Sequence, residues 1–155
     1  MSRDYIIHTP DEIERIRVAA AMTGKARDLI ADSVRPGMST KELDLIAGEI
    51  ITSMGGKCAF LGYAGFPGNI CISVNDEVVH GIGDPNRFIL KGDLVKVDVG
   101  VAFNGGIGDT ARTVYVGDEP SCPADERKLM DVTRDALEAG IKAALPGNHI
   151  RDISA

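Results

Sequence analysis

Lys96-Val97-Asp98-Val99-Gly100-Val101-Ala102-Phe103-Asn104-Gly105-Gly106-Ile107-Gly108-Asp109-Thr110 is the stretch whose reading decides the fold. Apolar residues alternate at Val95, Val97, Val99 and Val101, the period-two mark of a strand with one buried face. Asn104-Gly105 is a strong signal for a two-residue hairpin turn, and Thr110, Thr113, Val114, Tyr115 and Val116 continue as the returning strand. With that turn, Phe103 faces Gly106, Gly100 faces Asp109 and Asp98 faces Ala111. Asp98 and Asp109 then lie on one face as diagonal neighbours, roughly 7–8 Å apart at the backbone. Two carboxylates held that close repel unless a cation or a shared proton lies between them. Gly100, opposite Asp109, is expected to leave the space such an ion needs. The pair is therefore a candidate metal site. An ordinary strand with a wet face would also carry Asp and Lys outward, with Lys96 paired to Asp98. A three-residue loop without a bulge would put the two aspartates on opposite faces.

Bulk properties narrow the field. The chain has 155 residues, 44% hydrophobic and 26% charged, enough for one domain of ordinary size with a real core. Its net charge is −6 and no basic cluster occurs, which argues against binding nucleic acid or an anionic membrane surface. No apolar run approaches the roughly 20 residues of a membrane span. The start, Met1 to Pro10, lacks the apolar core and cleavage site of a signal peptide. Cys58, Cys71 and Cys122 show no C-x-x-C pairing, so free and mostly buried thiols in a reducing cytosol are expected, without a zinc cluster.

Working outward from the hairpin, Thr9-Pro10-Asp11-Glu12 is a capping box opening a long helix. Ile13, Ile16, Ala20, Ile30 and Val34 are its expected buried stripe, and Pro36-Gly37 its stop. Ser39-Thr40-Lys41-Glu42 is a second capping box, followed by Leu43, Ile46, Ala47, Ile50, Ile51 and Met54 at helical spacing up to Gly55-Gly56. Residues 59–66 read as an aromatic, glycine-rich loop, 69–74 as a strand, and Val78-Val79-His80 as another short strand. A third helix is expected from about Pro123 to Leu145, with Leu129, Ala136, Leu137, Ile141 and Leu145 on one side. It closes on Pro146-Gly147 with Asp152-Ile153 beyond, as the first helix closes on Pro36-Gly37 with Glu42-Leu43 beyond. That parallel reads as an internal repeat whose second copy has only begun at Ala155.

His80 lies in Asn75-Asp76-Glu77-Val78-Val79-His80-Gly81-Ile82, ahead of a hydrophobic strand carrying Asp98 and of Gly108-Asp109-Thr110 eleven residues on. A lone histidine is more often structural than catalytic. These three motifs together, in this order and spacing, resemble type I methionine aminopeptidases over essentially the whole chain. The resemblance implies an α+β fold, half of a pseudo-two-fold "pita-bread" architecture, with an antiparallel sheet and amphipathic helices packed on one face. It implies a metalloaminopeptidase that removes initiator methionine from nascent chains in the cytoplasm, using two divalent ions (Co, Mn, Fe or Zn). Asp98 corresponds to a ligand of one ion and Asp109 to the carboxylate bridging both. His80 corresponds to the histidine that hydrogen-bonds substrate near the scissile amide. Tyr63 and Phe66, with Phe60 beside them, match aromatic positions of the methionine pocket, although ordinary core packing would explain aromatics here equally well.

Two departures from the family stand out, and so does an absence. Gly83 replaces a frequent proline, and Lys96 replaces a frequent asparagine or serine where an ammonium beside two cations is unfavourable unless it points away. The remaining histidine and two glutamate ligands of the family belong to its second half, so residues 1–155 are expected to be an N-terminal half with an incomplete ligand set, inactive alone. Self-association through the uncovered sheet face is expected to accompany it. The alternatives are an Xaa-Pro aminopeptidase or creatinase-like hydrolase of the same fold, and a non-catalytic half-domain that binds a partner.

Overall fold

The structure, a computed structural model, describes residues 6–154, so the first five residues of the segment read for a signal peptide lie outside it. Contacts divide the chain into two units at Gly117 and Asp118. In the first unit come α1 (Pro10–Ser33), α2 (Thr40–Ser53), β1 (Lys57–Cys58), β2 (Cys71–Val74), β3 (Leu94–Phe103) and β4 (Gly106–Tyr115). The second contains α3 (Ala124–Ala143) and α4 (Ile150–Ile153).

Both capping boxes form as read. The Thr9 amide donates to Glu12 at 2.7 Å and the Ser39 amide to Glu42 at 2.7 Å, so each helix start has its orphan donors satisfied. Helix α1 ends when Val34 turns extended at φ −61°, ψ 126°, two residues short of Pro36. Arg35, directly before the proline, is disfavoured in helical backbone, so the helix cannot run on to Pro36.

The hairpin register is the one the Asn-Gly turn implies: Phe103 pairs with Gly106, Gly100 with Asp109, and Asp98 with Ala111. Asn104 and Gly105 sit at φ 48° and 80°, the double left-handed geometry of a tight type I′ turn. The sheet is antiparallel. Strand β4 runs along one edge of β3, and β2 and β1 pair with the other, Cys71 opposite Asp98 and Lys57 opposite Ala102. Val95, Val97, Val99 and Val101 are fully buried beneath the helices, joining Ala26, Ile30, Leu43, Ala47, Ile51, Ile70 and Ile72 in one core. Full burial of each large aliphatic side chain contributes about 1.5–3 kcal/mol.

The buried stripe of α1 differs from expectation. It consists of Ala19, Thr23, Ala26, Ile30 and Ala31, while Ile13 is 47% exposed and Ala20 is exposed. The cause lies on β4. A Cβ at Gly106 would fall 2.3 Å from the Arg15 carbonyl, and one at Gly108 would fall 2.4 Å from Thr23 Oγ1. The helix backbone rests on glycines, so its contact residues are small. The Val78-Val79-His80 strand does not form either. Val78 and Val79 are 79% and 60% exposed and His80 has φ 60°, which no extended strand tolerates.

In the second unit α3 has no buried residue, and its apolar stripe stays open, with Leu129, Leu137 and Ile141 each more than 60% exposed. The Pro-Gly parallel has a local structural counterpart. Gly37 and Gly147 share φ values of 89° and 93°, and two residues after each, a helix cap donates its amide to an acid three positions on.

Candidate metal centre

Alternation along β3 and β4 puts Asp98, Gly100, Asp109 and Ala111 on the sheet face opposite the helices. The two aspartates are therefore brought together as the hairpin register requires. Asp98 is half-buried and Asp109 exposed. Burial, then the Asp109 charge, then a hydrogen bond shared with Asp109 push the Asp98 carboxyl up to about 6, and only His80 pulls it down. Two oxygen donors on rigid, paired strands that resist joint ionisation are a donor set that suits a hard divalent cation. Among the described residues no cluster of three or more His, Cys, Asp or Glu side chains is present, so this chain contributes a pair.

The space above Gly100 is filled. A Cβ there would lie 2.5 Å from Phe60 Cε1, so the Phe60 ring lies over the glycine on the aspartate face. The Ala59 amide donates to the Gly100 carbonyl at 2.9 Å and holds the ring in place. The expectation that Gly100 leaves room for an ion is thus corrected: the glycine admits an aromatic wall. Phe66 is half-buried, its Cε1 3.0 Å from where a Cβ of Gly68 would stand. Tyr63 stands 76% exposed on the short helical turn Tyr63–Gly65.

Lys96 shares the aspartate face but turns away from the pair. Its Nζ donates to the Asn75 carbonyl at 2.5 Å, and burial holds its pKa below the usual lysine range despite Glu77 and Asp76 nearby. The conflict raised by a lysine beside a cation site is removed by this geometry.

Cys71 is a neighbour that sequence reasoning missed. It stands opposite Asp98, is 5% exposed, and its thiol is pushed up to about 11 by burial and by the charges of Asp98 and Asp109. Cys71 and Ser73 alternate onto the aspartate face, a signal visible in the sequence only once the pairing of β2 with β3 is known. The three cysteines are free, Cys58 half-buried and the others buried.

Residues 14–155 match metallopeptidase family M24. The chain belongs to that family. M24 membership implies divalent metal ions, in keeping with the aspartate pair. The chain is 41% identical over 150 residues to methionine aminopeptidase 1 of Bacillus subtilis, which covers 96% of this chain and 58% of the relative. A solved methionine aminopeptidase of Thermotoga maritima superposes with a TM-score of 0.85 at 36% identity, over 92% of this chain and 56% of that one. Prolidase from Pyrococcus furiosus, at 24% identity and a TM-score of 0.78 over 96% of this chain and 41% of its own, shares the fold alone. The architecture is that of the M24 pita-bread fold, and the chain spans a little over half the length of the curated relatives it matches. No helix among the described residues is long and apolar enough to cross a membrane.

Proposed function

We propose that this chain supplies part of the active centre of a cytoplasmic methionine aminopeptidase that removes the first methionine from nascent polypeptides. The observation that carries the reading is the Asp98–Asp109 pair on one face of the hairpin, within an M24 chain 37–42% identical to relatives named methionine aminopeptidase. In this reading Asp98 would be a ligand of one divalent ion and Asp109 a ligand shared by two; such ions would supply an activated water and polarisation of the scissile carbonyl. His80 donates a hydrogen bond to the substrate beside the scissile amide. Phe60 forms an uncharged wall next to the carboxylates, and Tyr63 and Phe66 complete a pocket suited to an unbranched thioether. Residues 1–155 act in this proposal as the N-terminal half of the catalytic domain.

Assay of the full-length protein with Mn(II) or Co(II) tests the reading. Release of methionine from a Met-Gly-Xaa peptide, abolished by a chelator and restored by metal, is the expected result. Preferential cleavage of an Xaa-Pro bond would transfer the site to the alternative M24 activity.

A second reading, a non-catalytic half-domain that binds a partner or itself, draws on the uncovered sheet face, where Ile107 is 61% exposed. Light scattering separates the two: a monodisperse monomer of the 155-residue chain counts against self-association.

A further inference from the structure

His80 holds a backbone conformation that its own side chain disfavours. At φ 60° it lies in the left-handed region, and such a residue persists only where its surroundings over-determine it. The two residues before it supply little restraint, since Val78 and Val79 are largely exposed. Further upstream, the Val74 amide donates to Glu77 at 2.9 Å and the Asn75 side chain accepts the Leu94 amide at 2.9 Å. Those bonds fix residues 75–77 and leave 78–80 to be set from the other end.

The other end is Gly81. It is buried, its carbonyl accepts the Ile72 amide at 2.9 Å, and its amide donates to Ser73 Oγ at 3.0 Å. A Cβ on Gly81 would lie 2.0 Å from the Ile72 carbonyl oxygen and 2.9 Å from Ser73 Cα, so the loop backbone rests directly on β2. Ser73 itself is 2% exposed and shares the aspartate face with Cys71 and Asp98. Removing its oxygen would leave the Gly81 amide buried without a partner, and the local chain would shift to recover one.

We propose that Ser73 is a positioning residue: its buried hydroxyl clamps the Gly81 amide and thereby holds His80 in its left-handed conformation beside the aspartate pair. The inference rests on the reading of His80 as a substrate-contacting residue. It adds a role for a buried side chain whose oxygen accepts a backbone amide of the loop.

A kinetic cycle in the full-length, Mn(II)-loaded protein tests it, with a Met-Gly-Xaa peptide as substrate. His80→Ala, Ser73→Ala and the double variant are compared with Ser73→Thr, which keeps the hydroxyl. Ser73→Ala should lower kcat about 10- to 100-fold, the scale of a small misplacement of a catalytic contact. Ser73→Thr should stay within about threefold of the parent, and Ser73→Ala should add nothing further once His80 is alanine. Losses that multiply in the double variant, or a Ser73→Ala protein as fast as the parent, would overturn the clamp while leaving the assignment of His80 intact. A His80→Ala protein of unchanged kcat would instead overturn the role of His80, and the clamp with it. Amide hydrogen exchange on the unaltered protein supplies a readout independent of activity and of any variant's folding. The Gly81 amide should exchange at least about tenfold more slowly than those of Val79 and His80. Equal rates at the three positions would refute the clamp.

Discussion

Asp44, fully buried on α2, accepts the backbone amide of Asn69 at 2.6 Å from a loop 25 residues further along the chain. The same carboxylate accepts the Ile70 amide at 3.2 Å and pairs with Lys41 at 2.8 Å. A helix side chain thus fixes the entry to β2, and through it the strand that carries Cys71 and Ser73. Asp44→Ala strands two amides, each costing about 1–3 kcal/mol when buried and unpaired. Urea unfolding should show a loss of about 3 kcal/mol, with Asp44→Asn falling between it and the parent. An unchanged midpoint for Asp44→Ala would mean that the loop finds other partners.

Gly108 is where β4 meets α1. An alanine there would place its Cβ 2.4 Å from Thr23 Oγ1 and 2.6 Å from Ala20 Cα, and neither the helix backbone nor a buried threonine yields cheaply. Overpacking of this kind costs about 1–3 kcal/mol. Gly108→Ala should lower the urea midpoint accordingly, and Gly92→Ala cannot serve as its control because Gly92 has φ 98°. Gly24→Ala can, since nothing lies within 4 Å of a Cβ there and a helical alanine is favoured.

Phe60 and Gly100 form a size-matched pair over the aspartates. Gly100→Ala alone should drive the ring off the sheet and destabilise the protein by about 1–3 kcal/mol. With Phe60→Ala already in place, the same change should cost at least about 1 kcal/mol less, a coupling that a double-mutant cycle measures directly. Additive losses would show that the ring moves freely.

Glu77 gives the fold an acid limb. Burial pushes its carboxyl up, but the Val74 amide and the Arg87 guanidinium outweigh it and leave the pKa below the usual 4.5. A carboxylate lowered on folding contributes stability that is complete above its unfolded value and is lost as pH falls through the folded one. Urea midpoints taken downward from pH 7 should therefore fall in the acid range below 4.5, and fall less steeply in Glu77→Gln. Parallel acid limbs in the two proteins would contradict the assignment.

Metal binding separates the roles of the aspartates. Asp109 is exposed, so Asp109→Ala should fold normally. In the full-length protein it should abolish two-ion stoichiometry in calorimetry with Mn(II). Unchanged stoichiometry would refute the bridging role. Since two carboxylates are all that the described residues assemble, the 155-residue chain by itself should bind Mn(II) weakly and release no methionine from Met-Gly-Xaa. Turnover by that chain would sink this expectation.

Local chemistry made much of this protein legible. The capping boxes and the Asn104-Gly105 turn act within a few residues, so helix starts and the hairpin register could be read directly, and with them the placing of Asp98 and Asp109 on one face. Period-two alternation then separated the valines of the core from the wet face. What depended on distant partners was decided only by tertiary structure. Phe60 lies over Gly100 because β1 pairs with β3, Cys71 stands beside Asp98 because β2 pairs there, and Lys96 turns to a carbonyl at Asn75. The glycines of β4 chose Ala19 and Thr23 of α1 over Ile13, and two exposed valines with a left-handed histidine replaced an expected strand. Turn and cap energies belong to contiguous residues, whereas a face, a neighbour or a close approach belongs to two segments at once, and no single stretch of chain encodes it.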